Sequence, residues 1–217
     1  MNRSIDGVIF DLDGVIVTTD EYHYKAWKRM AMDEEIYFDR VINERLRGVS
    51  RMQSLEIILE RTDCKYSEEE KARLAERKNN YYIEYINQLS SGDILPGALG
   101  LLDQLKKKKV SIAIGSSSRN CNTILEKIGL SSYFDAVVSG NDISRSKPDP
   151  EVFLLAAAKL RLDPGRCLVV EDAEAGVTAA IRAGMKVLAV GSASSDGRAS
   201  MRAKDLSKVT IEEILAV

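Results

Sequence analysis

Asp11 and Asp13, in the run Asp11-Leu12-Asp13-Gly14, follow directly on the apolar residues Val8, Ile9 and Phe10. Residues two apart at the end of a strand project to the same side. Two carboxylates held together are costly unless a cation or a shared proton relieves them. The pair can therefore be a nucleophile and an acid/base beside a metal, or simply an aspartate turn that ends a strand.

Three further loops bear on that choice. Gly115-Ser116-Ser117-Ser118-Arg119-Asn120 follows another apolar run and precedes a helical pattern. Hydroxyls, backbone amides and a helix N-terminus can cradle an anion, although serines also cap helices routinely. Ser146-Lys147-Pro148-Asp149-Pro150 has two prolines to fix the loop, and Lys147 as a point charge for a phosphoryl oxygen. Glu171-Asp172 closes the run 167–170, and oxygen donors there suit a hard cation such as Mg²⁺.

The elements that must position these residues are legible as short apolar runs at 8–10, 110–114, 136–138, 167–170 and 187–190. Continuous runs without alternation predict strands buried on both faces, as in a parallel sheet. Helical patterns at 98–108, 120–128, 152–160 and 176–183 alternate with them, which predicts an α/β doubly wound parallel sheet. All four loops then lie at strand carboxyl ends and converge on one edge, and convergence favours the catalytic reading over an isolated turn.

The rhythm breaks after the first strand. Residues 20–33, 39–47, 51–61 and 67–89 read as helices, with Ser67 followed by three glutamates as a cap and acidic first turn. The spacing predicts a small α-helical cap domain over 16–92, inserted into a catalytic core domain of 1–15 and 93–217. An insertion at the carboxyl end of a strand falls where open α/β sheets bind ligands.

Composition narrows the class. The 217 residues carry 31 basic and 33 acidic side chains, a formal charge of −2, and this near balance argues against a nucleic-acid partner. Three separated cysteines without a CxxC pair argue against structural zinc and a disulfide framework. No apolar run approaches a membrane span, and the charged N-terminus does not read as a signal peptide, so the expected location is cytoplasmic. With no extended apolar patch legible, a monomer is expected.

In the order of its four motifs, from Asp11 to Asp172, the chain resembles the haloacid dehalogenase superfamily of phosphotransferases, with its Rossmann-like core and α-helical cap. The resemblance implies that Asp11 attacks phosphorus and becomes an aspartyl phosphate, while Asp13 serves as acid and then base. It implies that Ser116 and Lys147 hold the transferring phosphate. Mg²⁺ would be held by Asp11, the carbonyl of Asp13, and Asp172 with Glu171. Three positions depart from the common pattern: Thr18 where an aspartate is frequent, Arg119 where a lysine is frequent, and Ala173 where a small polar residue is common.

Within that superfamily the stretches Glu21-Tyr22-His23, Arg47-Gly48-Val49-Ser50-Arg51 and Arg77-Lys78-Asn79 are similar to those of the mutases that interconvert β-glucose 1-phosphate and glucose 6-phosphate through β-glucose 1,6-bisphosphate. By that resemblance Thr19, His23, Gly48, Val49, Ser50 and Lys78 would line the sugar site, with Ser117 near the transferring phosphate. Arg51, Ser118, Arg119 and Asn120 would grip the phosphate that is not being transferred. Trp27 stands at i+4 from His23 on the same helical face, where packing is the favoured reading and substrate contact the other. The implied cofactor is Mg²⁺, with glucose 1,6-bisphosphate as the priming donor, and the implied partner is a small sugar phosphate. A sugar-phosphate phosphatase with the same core and cap is the alternative. A phosphosugar-binding protein without catalysis would not require Asp11 and Asp13.

Overall fold

The computed structural model describes residues 5–46 and 49–217. In chain order the elements are β1 (Gly7–Phe10), the helices α1 (Asp20–Asp33), α2 (Arg40–Glu44), α3 (Arg51–Leu59) and α4 (Glu68–Ile86), then α5 (Ala98–Lys107), β2 (Ser111–Gly115), α6 (Cys121–Lys127), β3 (Ala136–Val138), α7 (Glu151–Leu160), β4 (Cys167–Glu171), α8 (Glu174–Arg182), β5 (Lys186–Ala189), β6 (Met201–Arg202) and α9 (Ile211–Ala216). Among the described residues the six strands form one sheet, in the order β3-β2-β1-β4-β5-β6, with every pair parallel.

Every residue of β1 and β4 is buried, as a strand covered on both faces must be. On one face Phe153, Ala156 and Ala157 of α7 and Val177 and Ala180 of α8 pack over Ile9, Ala113 and Val169. Gly115 admits this packing, because a Cβ there would stand 2.9 Å from the Phe153 ring. The chain runs from β1 outward to β2 and β3, then returns to the other side of β1 for β4. That reversal opens a crevice beyond the carboxyl ends of β1 and β4, the place where open α/β sheets take ligands.

The chain divides into two compact units, Thr19–Leu89 and the remainder. Residues 16–18 and 90–92, expected with the cap, group with the sheet. The reason is backbone pairing: Val17 bridges to both Asp13 and Ile94, and Leu95 N donates to Ile16 O at 2.8 Å. Ile16 and Val17 are completely buried as a result.

In the helical unit α1 and α3 each pack on α4. Its core is Tyr24, Trp27, Met30 and Ala31 from α1, Leu55 and Ile58 from α3, and Leu74 and Ala75 from α4. Ser67 closes a capping box with Glu70 at the start of α4, and Ser50 closes another with Gln53 at the start of α3. No helix among the described residues is long and apolar enough to cross a membrane.

Candidate active site

One group of candidate residues stands on the sheet. Asp11 N continues the ladder by donating to Val170 O at 2.9 Å, so its side chain emerges at the end of the central strand. Lys147 Nζ lies 2.7 Å from Asp11 Oδ1 and 2.5 Å from Glu171 Oε1. Burial alone would lower the pKa of this ammonium. The two carboxylates outweigh that effect and hold it above the ordinary lysine range. Glu171 is 1% exposed, and burial raises its carboxyl pKa against the pull of Lys147. Its second oxygen accepts the Ala173 N–H at 2.9 Å.

Asp11, Glu171 and Asp172 each bring a carboxylate oxygen within 4.8 Å of the others. Gly14 makes the approach possible. It adopts φ +78°, and a Cβ there would collide with the Asp172 carboxylate. Three carboxylates against one ammonium leave an excess of negative charge, and hard oxygen donors at this spacing fit a Mg²⁺-sized cation. Ser192 Oγ fixes the other end of Asp172 by donating to its carbonyl at 2.5 Å.

Ser116, 2% exposed, follows β2 and accepts the Ser118 N–H on Oγ at 3.1 Å. Ser118 Oγ in turn accepts the Asn120 N–H at 3.2 Å. Ser117 Oγ is buried and finds no partner among the described residues, an orphaned hydroxyl that an anion's oxygen could satisfy. Arg119 is exposed. Gly140 and Asn141, after β3, support this loop. Gly140 N donates to Ser118 O, Asn141 Nδ2 donates to Arg119 O, and a Cβ on Gly140 would collide with Ser117 O. The glycine-containing turn after the β3 run was the available signal.

A separate group of candidate residues belongs to the helical unit. His23 Nδ1 lies 2.8 Å from Lys78 Nζ, and the imidazole stacks on Tyr82 with ring centroids 4.0 Å apart. An ammonium only donates, so Nδ1 holds the lone pair and the proton of the neutral ring sits on Nε2. Burial, then Lys78 and Arg51, push the His23 pKa well below 6.5. Thr19, fully buried, accepts from Tyr82 Oη at 2.9 Å. Lys78 is 3% exposed and stands 4.9 Å from the centroids of both Trp27 and Tyr82. Arg51 Nη2 donates to Asn79 Oδ1 at 2.8 Å.

Trp27 is a core residue of the helical unit, and Lys78 Nζ stands over its ring. Ser50 spends its hydroxyl on the cap of α3. Val49 is partly exposed, and Gly48 lies outside the described residues. Tyr82 was not anticipated, although it stands at i+4 from Lys78, where the two share a helix face.

The depressed His23 pKa carries a stability consequence. The unfolded chain binds this proton first, so the contribution of His23 is complete above pH 6.5 and is lost as pH falls toward the lower native value. The Tm of the native protein should therefore fall more steeply below pH 6.5 than that of a His23→Gln variant. Parallel curves would mean that the ring is not held neutral.

Residues 5–184 match the family model described as haloacid dehalogenase-like hydrolase. The chain is 44% identical to β-phosphoglucomutase of Bacillus subtilis (strain 168) over 207 residues, covering 94% of this chain and 92% of the relative. It is 32% identical to the phosphorylated carbohydrates phosphatase of Thermotoga maritima, covering 98% of each. Among solved structures, β-phosphoglucomutase from Clostridium difficile superimposes with a TM-score of 0.89 at 41% identity, covering 97% of this chain and 95% of the other. The strand order, the carboxylates gathered at its reversal and the helical insertion all accord with these likenesses, and the chain belongs to the haloacid dehalogenase-like hydrolase family, in its β-phosphoglucomutase branch.

Proposed function

We propose that the protein is a Mg²⁺-dependent phosphotransferase that interconverts β-D-glucose 1-phosphate and glucose 6-phosphate through β-glucose 1,6-bisphosphate and a phosphorylated Asp11. The observation that carries this reading is Asp11 at the end of the central strand, paired with Lys147 at 2.7 Å beside Glu171 and Asp172. The 44% identity to a β-phosphoglucomutase supports the choice of sugar.

Asp11, the Asp13 carbonyl and Asp172, with Glu171, would hold the Mg²⁺, which when bound supplies positive charge to the phosphoryl oxygens. In the first half-reaction an Asp11 oxygen forms a bond to phosphorus as the bond from phosphorus to the sugar oxygen breaks. Asp13 gives its proton to that departing oxygen. In the second half-reaction the free 6-hydroxyl of β-glucose 1-phosphate yields its proton to Asp13 and takes the phosphoryl group from Asp11, giving β-glucose 1,6-bisphosphate and the free carboxylate; the bisphosphate then serves the first half-reaction through its 1-phosphate and leaves as glucose 6-phosphate. Ser116 and Lys147 hold the phosphoryl oxygens in both halves, and Lys147 remains anchored through Glu171 when Asp11 is esterified. A phosphoryl transition state needs this kind of positioning and neutralisation more than covalent assistance.

A mutase also needs purchase on the phosphate that is not moving. We assign that phosphate to Arg51 with Ser118, Arg119 and Asn120. His23, Lys78, Thr19 and Val49 are assigned to the sugar. The alternative, a sugar-phosphate phosphatase, is favoured by the 32% identity to a phosphatase over nearly the whole chain. Both readings use the same Asp11 chemistry.

The deciding assay supplies Mg²⁺, β-glucose 1-phosphate and catalytic glucose 1,6-bisphosphate, and follows glucose 6-phosphate and free phosphate together. The mutase reading expects glucose 6-phosphate with little free phosphate, and none from the α-anomer. Free phosphate without glucose 6-phosphate would make the protein a phosphatase. Arg51→Ala should lower mutase turnover by roughly 10- to 100-fold, the loss expected for one charged hydrogen-bonding partner. Unchanged mutase turnover in that variant would end the two-phosphate account.

A further inference from the structure

Lys147 must hold its ammonium against Asp11 and Glu171, yet its backbone belongs to an irregular loop between β3 and α7 whose residues 144–146 are exposed. No sheet ladder fixes it. The clamp comes from the first residue of α7. Glu151 Oε2 accepts the Arg145 N–H at 2.8 Å, and Oε1 accepts the Ser144 N–H at 3.1 Å. Both oxygens also take the Ser144 hydroxyl, at 3.0 Å.

A single carboxylate thus gathers two successive backbone amides and folds the loop onto the helix end. Those amides hold the Glu151 carboxyl below the usual glutamate range, as charge-assisted bonds do. Asp149 tightens the same turn. Its Oδ1 accepts the Glu151 N–H at 3.0 Å, its N–H donates to Ser146 O, and its Oδ2 pairs with Arg145 at 3.1 Å. On the far side of Lys147, Arg182 of α8 donates to Pro148 O at 3.0 Å. Lys147 is bracketed by two anchored points, and Glu151 makes the larger share of the attachments.

We propose that Glu151 is a positioning residue for Lys147: its carboxylate fixes the backbone of Ser144 and Arg145 and thereby sets where the Lys147 ammonium stands. Glu151 acts through the loop, since each hydrogen bond of its carboxylate goes to Ser144 or Arg145. The kinetic consequence rests on the proposed phosphotransfer, but the placement of Lys147 does not.

The test therefore has two arms, applied to the full chain as wild type, Glu151→Ala and Glu151→Gln. In the first, brief amine acetylation read by peptide mass spectrometry reports how often Lys147 leaves its carboxylates. Labelling of Lys147 should rise about tenfold or more in Glu151→Ala, given the worth of hydrogen bonds to a charged group, while Lys25 and Lys159 label at the wild-type rate. Glu151→Gln keeps one acceptor oxygen and should fall between. In the second arm, kcat with β-glucose 1-phosphate should drop by on the order of 10- to 100-fold with a smaller change in KM, as for a catalytic group displaced by a fraction of an ångström.

Lys147 labelling that stays at the wild-type rate in Glu151→Ala overturns the proposal. A rise shared by Lys25 and Lys159 overturns it too, because it would reflect general loosening. If Lys147 alone becomes reactive and the wild type transfers no phosphate, the positioning role stands and the phosphotransfer reading falls.

Discussion

An Asp11→Asn protein should fold as well as the wild type and lose turnover by on the order of 10⁴-fold or more, as removal of a nucleophile does in enzymes that act through one. The two halves of this expectation have separate causes. The amide cannot displace the sugar oxygen from phosphorus, so no phosphoenzyme forms. Yet the substitution also removes one carboxylate from a cluster whose oxygens lie within 4.8 Å of one another, and Lys147 keeps Glu171 as its partner. Like-charge crowding falls and no buried cation is orphaned. The check is the intact mass after incubation with glucose 1,6-bisphosphate, which should gain one phosphoryl group in the wild type and none in the variant, alongside the Tm of both. A phosphorylated Asp11→Asn protein would remove Asp11 from the mechanism.

Lys147→Ala should damage both activity and folding. The activity loss should be about 10²- to 10³-fold, the usual effect of removing one preorganised charge stabiliser. The stability loss comes from Glu171, which is almost wholly buried and would keep no cation in contact. Stranding a buried charge costs roughly 3–5 kcal/mol. Burial already raises the Glu171 pKa above 4.5, and without Lys147 the native carboxyl would rise further. A carboxyl with a raised native pKa contributes most below its unfolded value and loses that contribution as pH rises through the native one. In metal-free buffer the deficit of Lys147→Ala against wild type should thus be greatest at pH 7–8 and shrink toward pH 5. Adding Glu171→Gln should restore much of the stability at neutral pH and none of the activity. If the double variant were as unstable as the single one, the ion pair would not be what holds the region together.

Much of this chemistry could be read from the chain, for a reason that lies in the sheet. Strands buried on both faces leave continuous apolar runs, and those runs end where polar residues begin. Asp11, Ser116 and Glu171 are each found at such an edge, so the sequence marks both the strand and the end where these polar side chains gather. Lys147 is further from β3, and only the two prolines that follow it, Pro148 and Pro150, make the loop conspicuous.

What was not legible is equally physical. β6 is two residues long, too short for any periodicity to register. The pairing of Lys147 with Glu171 joins residues 24 apart in the chain, and nothing local announces it. Glu171 was expected only beside a cation, whereas one of its oxygens holds the lysine and the other a backbone amide. Tyr82 reads as one more aromatic of α4 until its hydroxyl is seen on Thr19. The residues at 16–18 look like a linker because hydrogen bonds to a segment almost eighty positions later leave no local pattern.

Those last hydrogen bonds have a further consequence. Where the chain departs toward the helical unit and where it returns, Val17 and Ile94 face each other as an antiparallel bridge, and Leu95 binds back to Ile16. From the side of the sheet the 76 residues between Val17 and Ile94 are a single long loop whose ends are already tied. The entropy of closing such a loop grows only logarithmically, at about 0.6 kcal/mol for each doubling of length. The sheet and its carboxylates are therefore nearly indifferent to what is threaded between these two points. A lineage could lengthen, shorten or rewrite the insertion while the sheet and the carboxylates at its edge stayed as they were.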